Sequence, residues 1–240
     1  CDEHTIISLG SDGTALVNAT TFDDGSNDNC EIVSMEARRM DNPNCPGFDG
    51  TSFGATVPFY CCDVNSTIMV EFKVTDAAGL TNTCMVEVTV EDKLAPFISC
   101  PDDITVSCDF WFDMNDLNST FGTVVDDVND VNYIVINDRY CNGDVNDANG
   151  MGSTDYDPNN PTATYAKTVG SDGVAGDNCR VNITENVVDN LVCGQGTIPR
   201  VFTAPDPDGR TASCVQRIRI VDCDPYYIND TNCFNFDPFD

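Results

Sequence analysis

Oxygen-bearing side chains crowd the stretch Asp144-Val145-Asn146-Asp147-Ala148-Asn149-Gly150 and continue to Asp155 and Asp157. Alternating carboxylates and amides before a glycine turn suit a hard divalent cation, because calcium takes about six to eight oxygen ligands. Asp144, Asp147, Asn149, Asp155 and Asp157 are therefore the candidate ligands, and calcium is the candidate cofactor. The helix-loop-helix calcium signature is not complete: placing Gly150 sixth puts Val145 first and leaves no glutamate at the twelfth position. Asp92, Asp222 and Asp224 form a second candidate set.

Catalysis has fewer parts to work with. His4 is the only histidine, so no histidine pair or histidine-cysteine arrangement can form a base and nucleophile. The chain lacks a phosphate-cradling glycine loop, a dinucleotide fingerprint and a His-Glu-x-x-His helix. No catalytic residue is expected, and the chain is read as a non-enzyme.

The formal charge is -29, from 40 acidic residues against 11 basic ones, and 33 of the acids are aspartate. Aspartate competes for its own backbone and favours turns and caps over helix interiors, so this bias predicts loops and strands. The charge argues against nucleic acid or an anionic membrane as a partner, and it makes neutralising cations useful to the compact state.

Fourteen cysteines with no Cys-x-x-Cys pair point to disulfides rather than to zinc or redox chemistry. Disulfides persist in oxidising compartments, so the expected location is extracellular, at a cell surface. No run approaches the ~18–20 apolar residues of a membrane span, and any export signal is expected to lie outside these 240 residues.

Periodicity supplies the elements. Val70, Phe72 and Val74 alternate with Glu71 and Lys73, and Val86, Val88 and Val90 alternate with Glu87 and Thr89, as half-buried strands do. Asp76-Ala77-Ala78-Gly79 between them predicts a hairpin turn. The device returns 130 residues later: Phe202, Asp206, Gly209, Cys214, Ile218, Ile220 and Asp222 match Phe72, Asp76, Gly79, Cys84, Val88, Val90 and Asp92. Asp28-Asn29-Cys30 recurs as Asp177-Asn178-Cys179 at an offset of 149, which places insertions in loops.

No helical apolar pattern of a dozen residues occurs, and parallel pairing calls for helical crossovers that are absent. The expected fold is all-β: tandem immunoglobulin-like antiparallel β-sandwiches with disulfides. The expected domains are residues 1–94, residues 95–225 with a long insertion, and residues 226–240 as a linker or the start of another unit.

The motifs Cys1, Asp28-Asn29-Cys30, Val74-Thr75-Asp76 through Gly79 and Cys84, and Val88-Thr89-Val90-Glu91-Asp92 resemble the hyalin-repeat (HYR-like) immunoglobulin module across nearly all of the first unit. The second unit opens and closes similarly, with Cys100-Pro101-Asp102-Asp103-Ile104 and with Gly209-Arg210-Thr211 and Cys214, but departs from the pattern over residues 125–172. The run from Asp222 to Cys233 is similar to linkers of very large gliding-motility and surface adhesins of Bacteroidota-type bacteria exported by type IX secretion. The resemblance implies a repetitive surface filament.

Recurrence in both units favours the bridges Cys30–Cys84 and Cys179–Cys214. Position leaves Cys1 for Cys61 or Cys62, Cys100 for Cys193, and Cys223 for Cys233, although spacing alone does not determine connectivity. Phe110, Trp111 and Phe112 form an aromatic cluster open to packing or to sugar binding, and Tyr226, Tyr227, Phe234, Phe236 and Phe239 form a second. Asn18, Asn65, Asn118, Asn182 and Asn229 head Asn-x-Ser/Thr sequons, where composition alone yields about three.

The function expected is a structural or adhesive repeat of a large extracellular filament or adhesin, acting in attachment, gliding or cell-cell contact. Its partners would be neighbouring repeats, further copies of the filament, and a surface polysaccharide or another cell. The alternative is an accessory substrate-binding module of a secreted hydrolase.

Overall fold

The computed structural model describes residues 1–40, 52–108, 110–137 and 166–221. Two compact units emerge. The first holds Cys1–Pro96 together with two short segments, Asp177–Val181 and Pro205–Thr211, and the second holds the described remainder from Phe97 onward.

The first unit is an immunoglobulin-like sandwich of strands β1 (His4–Ser8), β2 (Thr14–Asn18), β3 (Ile32–Arg39), β4 (Thr56–Tyr60), β5 (Thr67–Asp76) and β6 (Thr81–Glu91). Its sheets run β1-β6-β5-β3 and β2-β4. Alternation on the long hairpin turns Ile68, Val70 and Phe72 of β5 and Val86, Val88 and Val90 of β6 into the core, where they meet Val57 and Phe59 of β4. Each such side chain stabilises by about 1.5–3 kcal/mol on burial.

The second unit comprises β7 (Phe97–Ile98), β8 (Ile104–Ser107), β9 (Val124–Val125), β10 (Tyr133–Asn137), β11 (Ala166–Ser171), β12 (Gly173–Gly176), β13 (Thr184–Val187), β14 (Gly196–Pro205) and β15 (Thr211–Val221). Its sheets are β13-β14-β15-β8, β7-β12-β9 and β10-β11. Ile198, Phe202, Ile218 and Ile220 are buried on the hairpin at the positions of Ile68, Phe72, Val88 and Val90. Among the described residues the α-helix is limited to the single turn α1 (Asn118–Phe121), and no helix is long and apolar enough to cross a membrane.

The two hairpin turns are alike bond for bond. Asp76 N–H donates to Leu80 O, Gly79 N–H to Asp76 O, and Leu80 N–H to Asp76 Oδ1. Asp206 does the same with Gly209 and Arg210. Gly79 and Gly209 stand at φ 82° and 83°, the left-handed region that glycine enters without steric cost.

Parallel pairing does occur. β1 lies parallel to β6 from His4↔Glu87 to Ser8↔Glu91, and β8 lies parallel to β15 from Ile104↔Ile218 to Val221↔Ser107. Helical crossovers prove unnecessary here. The connection is the rest of each sandwich, which far exceeds the dozen residues such a connection needs.

Candidate functional site

The ligand set Asp144, Asp147, Asn149, Asp155 and Asp157, the pair Cys223 and Cys233, and Asp222, Asp224, Cys45, Cys141 and the aromatic run from Tyr226 lie outside the described residues. Asp92 lies within them, and its company is not the expected one.

Many aspartates do the turn work that their abundance predicts. Asp12, Asp28, Asp113, Asp127 and Asp189 each accept a hydrogen bond from the backbone N–H two residues ahead. These bonds hold the Asp12 and Asp127 carboxyls below the ordinary aspartate value.

Three bridges correct the expected connectivity. Cys84 pairs with Cys1 rather than Cys30, Cys214 pairs with Cys100 rather than Cys179, and Cys179 pairs with Cys61. Cys100 is therefore not joined to Cys193, nor Cys1 to Cys61 or Cys62; Cys62 and Cys193 are themselves disulfide-bonded. Cys30 is exposed and free.

The strand register explains the first two bridges. The β1–β6 register pairs residue n with n+83, which sets Cys1 opposite Cys84, and the β8–β15 register of n+114 sets Cys100 opposite Cys214. Their Cα atoms stand 6.4 and 5.6 Å apart, within reach of a disulfide. Recurrence matched Cys84 with Cys214 correctly but gave them the wrong partners, because the parallel neighbour was not anticipated; Cys30 and Cys179, matched in the same way, differ, one being free and the other bonded to Cys61.

Cys61–Cys179 anchors the segment Asp177–Val181 in the first unit. Gly13 makes room for it. A Cβ there would lie 2.4 Å from Asn178 O and 2.6 Å from Cys61 Sγ, whereas one on Gly25, at a similar positive φ, meets nothing within 4 Å. Both alanine substitutions carry left-handed strain of about 1–2 kcal/mol. Gly13→Ala is expected to cost about 1–3 kcal/mol beyond Gly25→Ala through overpacking, as urea unfolding of the two variants will measure.

The anchored segment brings Asp177 to Asp92 and Asp206. Each offers one carboxylate oxygen, and the three oxygens lie within 4.8 Å of one another. Asp92 is fully buried and Asp206 nearly so, at 0% and 6% exposure. Asp92 Oδ1 accepts from Leu94 N–H, and its own N–H donates to Asp208 Oδ2. Asp92 Oδ2 is buried without a hydrogen-bond partner.

Arg210 is the cation facing this group. Its Nε donates to Asp206 Oδ2 at 3.0 Å, and its Nη2 lies 3.5 Å from Asp208 Oδ2 and 3.8 Å from Asp92 Oδ1 while donating to Asp92 O. Three carboxylates, those of Asp92, Asp206 and Asp208, thus face one guanidinium. Burial, then the neighbouring Asp92 charge, push the Asp177 carboxyl up from its ordinary value, against the pull of the Asn178 and Cys179 amides. All the donor atoms are hard oxygens, which suits calcium or magnesium rather than a thiophilic metal.

Elsewhere, Phe110 and Phe112 pack on Phe121 with ring centroids 6.1 and 5.2 Å away, so they belong to the second core. Trp111 stands 84% exposed. A shallow cavity of about 420 Å³ in the second unit is lined by Asn118, Thr123, Asn132, Tyr133 and Asp172 among others. Asp172 is committed to the backbone N–H groups of Thr123 and Asn132. Two sequon asparagines are also engaged, Asn118 with Arg200 and Asn65 with Pro207 O.

No family model matches the chain, and no curated protein matches it. Solved structures it resembles include the protocadherin gammaB7 EC3-6 cis-dimer, the human desmocollin-1 ectodomain and a chimeric titin Z1Z2 tandem, each 10% identical, with TM-scores of 0.23, 0.23 and 0.19. The alignments cover 92%, 94% and 90% of this chain and 46%, 37% and 94% of theirs. The chain thus spans less than half the length of the first two, and similarities this distant show no family.

Sequence reasoning overlooked two buried arginines. Arg39 makes a bidentate pair with Asp63, at 2.6 and 2.7 Å, inside the first unit. Arg200 is fully buried in the second, donating to Glu185, Gln216, Gly122 O and Asn118. A signal existed for the latter: Arg200 is in phase with Ile198 and Phe202, and Gln216 with Ile218 and Ile220. Polar residues in register on two adjacent apolar faces predict a buried network, since neither can be left unsatisfied there.

Proposed function

We propose that this chain is a repeat segment of a large extracellular cell-surface filament or adhesin, built of hyalin-repeat-like modules of the kind carried by type IX-exported gliding and surface adhesins. Its role is mechanical and adhesive, with no catalytic step. It would contact neighbouring repeats, further copies of itself, and a surface polysaccharide or another cell.

The observation that supports this reading is the repeated staple. In each unit a disulfide and a parallel ladder join an early strand to the last long strand, as Cys1–Cys84 with β1·β6 and as Cys100–Cys214 with β8·β15. Pulling a unit by its two ends would send the load through this bridge directly into the last long strand, so the unit cannot extend while the bridge is intact. Once the bridge is reduced, the hydrogen bonds of the ladder would be loaded together, in shear. A binding module tethered to a catalyst has no need of such a device in every unit.

The test is at the cell surface. Antibody raised against residues 1–221 is expected to label intact, unpermeabilised cells of the source organism and to reduce their attachment or movement on a surface. Labelling that requires permeabilisation, or surface labelling with attachment and movement unchanged, would count against the proposal.

A further inference from the structure

Asp92, Asp177 and Asp206 come from parts of the chain far apart in sequence, and all three belong to the first unit. Acidic residues that gather by chance remain solvated, but Asp92 is wholly buried and its Oδ2 has no donor. A buried carboxylate oxygen left unpaired costs several kcal/mol in general, far more than a folded domain leaves uncompensated.

Arg210 does not supply the missing partner. Its Nε is committed to Asp206 and its Nη2 to Asp92 O, and Nη2 stands 3.8 Å from the Asp92 carboxylate, on the Oδ1 side. Asp208 adds a fourth negative charge through its bond to Asp92 N–H. One guanidinium thus stands near four carboxylates, two of which, Asp92 and Asp206, are buried.

We infer that Asp92, Asp177 and Asp206 bind one calcium ion, with the orphaned Asp92 Oδ2 as its most buried ligand. The spacing fits the ion. Two oxygens across one calcium, each 2.3–2.6 Å from it, stand about 5 Å apart, and the three carboxylate oxygens lie within 4.8 Å of one another. Water would complete the coordination, since three carboxylates fall short of the six to eight oxygens that calcium takes.

The ion ties Asp177, held nearby by Cys61–Cys179, and the Asp206 turn to the residue that follows β6. Calcium occupancy therefore sets how firmly these two segments are held in the unit. This binding stands whatever surface the chain contacts. The alternative arrangement is a single proton shared by Asp92 and Asp177, with no ion.

Thermal unfolding of the 240-residue chain distinguishes the two, measured in EGTA and in CaCl2 at constant ionic strength. The wild type and the charge-matched control Asp24→Asn, an exposed acid of the same unit, are expected to gain about 5 °C or more in millimolar calcium. Extracellular calcium modules bind at about 10⁻⁴ to 10⁻³ M, and the same range is expected here. Asp177→Asn, at a half-buried position that tolerates the isosteric amide, should weaken this binding at least tenfold while leaving the protein no less stable in EGTA, because it removes a repelling charge. Asp92→Asn should behave likewise if it folds. Equal calcium responses in wild type and Asp177→Asn would overturn the inference, and so would a wild type indifferent to calcium whose Asp177→Asn variant is simply more stable, the signature of the shared proton.

Discussion

Replacing Arg200 by alanine is expected to destabilise the second unit by about 3–5 kcal/mol, the cost of breaking a buried charge network from one side. The guanidinium is fully buried, and its removal deprives Glu185, Gln216 Oε1, Asn118 Oδ1 and Gly122 O of their donor at once, with Gln216 and Gly122 left buried. Asn118 and Gly122 belong to or adjoin α1, so the segment that seats Phe121 in the core loses these two ties to the hairpin and keeps the Gln216 bond to Phe121 O.

Hydrogen exchange reads this in the second unit alone. Protected amides of β14 and β15 should exchange at least about 100-fold faster in Arg200→Ala, as each 1.36 kcal/mol is a factor of ten. Residues 130 positions earlier show an apolar solution: Val70 and Val86 occupy the places of Arg200 and Gln216, and both are fully buried. The double variant Arg200→Val with Gln216→Val should therefore recover part of the loss, since an apolar pair can replace a buried polar one. Recovery will be incomplete, because Gln216 Nε2 also donates to Asp102 O and Phe121 O. An Arg200→Ala variant with unchanged exchange would mean that the network carries no stability.

Reduction of the disulfides is the second large effect. Cys1–Cys84, Cys61–Cys179 and Cys100–Cys214 close loops of 83, 118 and 114 residues, and each bridge contributes about 2–4 kcal/mol, mainly by restricting the unfolded chain. Losing two from one unit removes much of the 5–15 kcal/mol that ordinarily separates folded from unfolded. Full reduction is therefore expected to unfold the first unit, which loses at least Cys1–Cys84 and Cys61–Cys179, at a clearly lower urea concentration than in the oxidised chain.

Force should show the same bridges as fixed lengths. At about 3.5 Å per extended residue, reduction of Cys1–Cys84 alone should release roughly 290 Å of chain from the first unit when it is pulled by its ends. A reduced chain that melts and stretches as the oxidised one does would show that the bridges bear neither stability nor load, and the mechanical role would fall with them.

The hairpins were legible because the physics that makes them is local. Alternation from Val70 to Val74 and from Val86 to Val90 needs only a period of two, and Asp76-x-x-Gly79 needs only a side-chain oxygen and a residue free to take positive φ. The second copy at Phe202 to Ile220 followed from the same marks. The 149-residue offset of Asp177-Asn178-Cys179 from Asp28-Asn29-Cys30 likewise announced insertions, although it could not say where the displaced motif would lodge.

Partners across space were not legible in that way. Cys84 is equally a neighbour of Cys1 or Cys30 on paper; only the parallel seating of β1 against β6 chooses Cys1. Asp92 drew attention beside Asp222, its equivalent in the second hairpin, and Asp224. Its actual company, Asp177 and Asp206, arrives through a disulfide and a turn.

Composition, a period of two and the spacing of turn residues thus determined by themselves an all-β, disulfide-bonded chain with a repeated hairpin, because each depends on a residue and its near neighbours. Tertiary structure alone decided which cysteines bond, which groups satisfy the buried arginines, and which three of 33 aspartates meet around an unpaired oxygen. Those outcomes depend on strand register and loop docking, where a shift of one residue exchanges inside for outside, and nothing local to the chain records that choice.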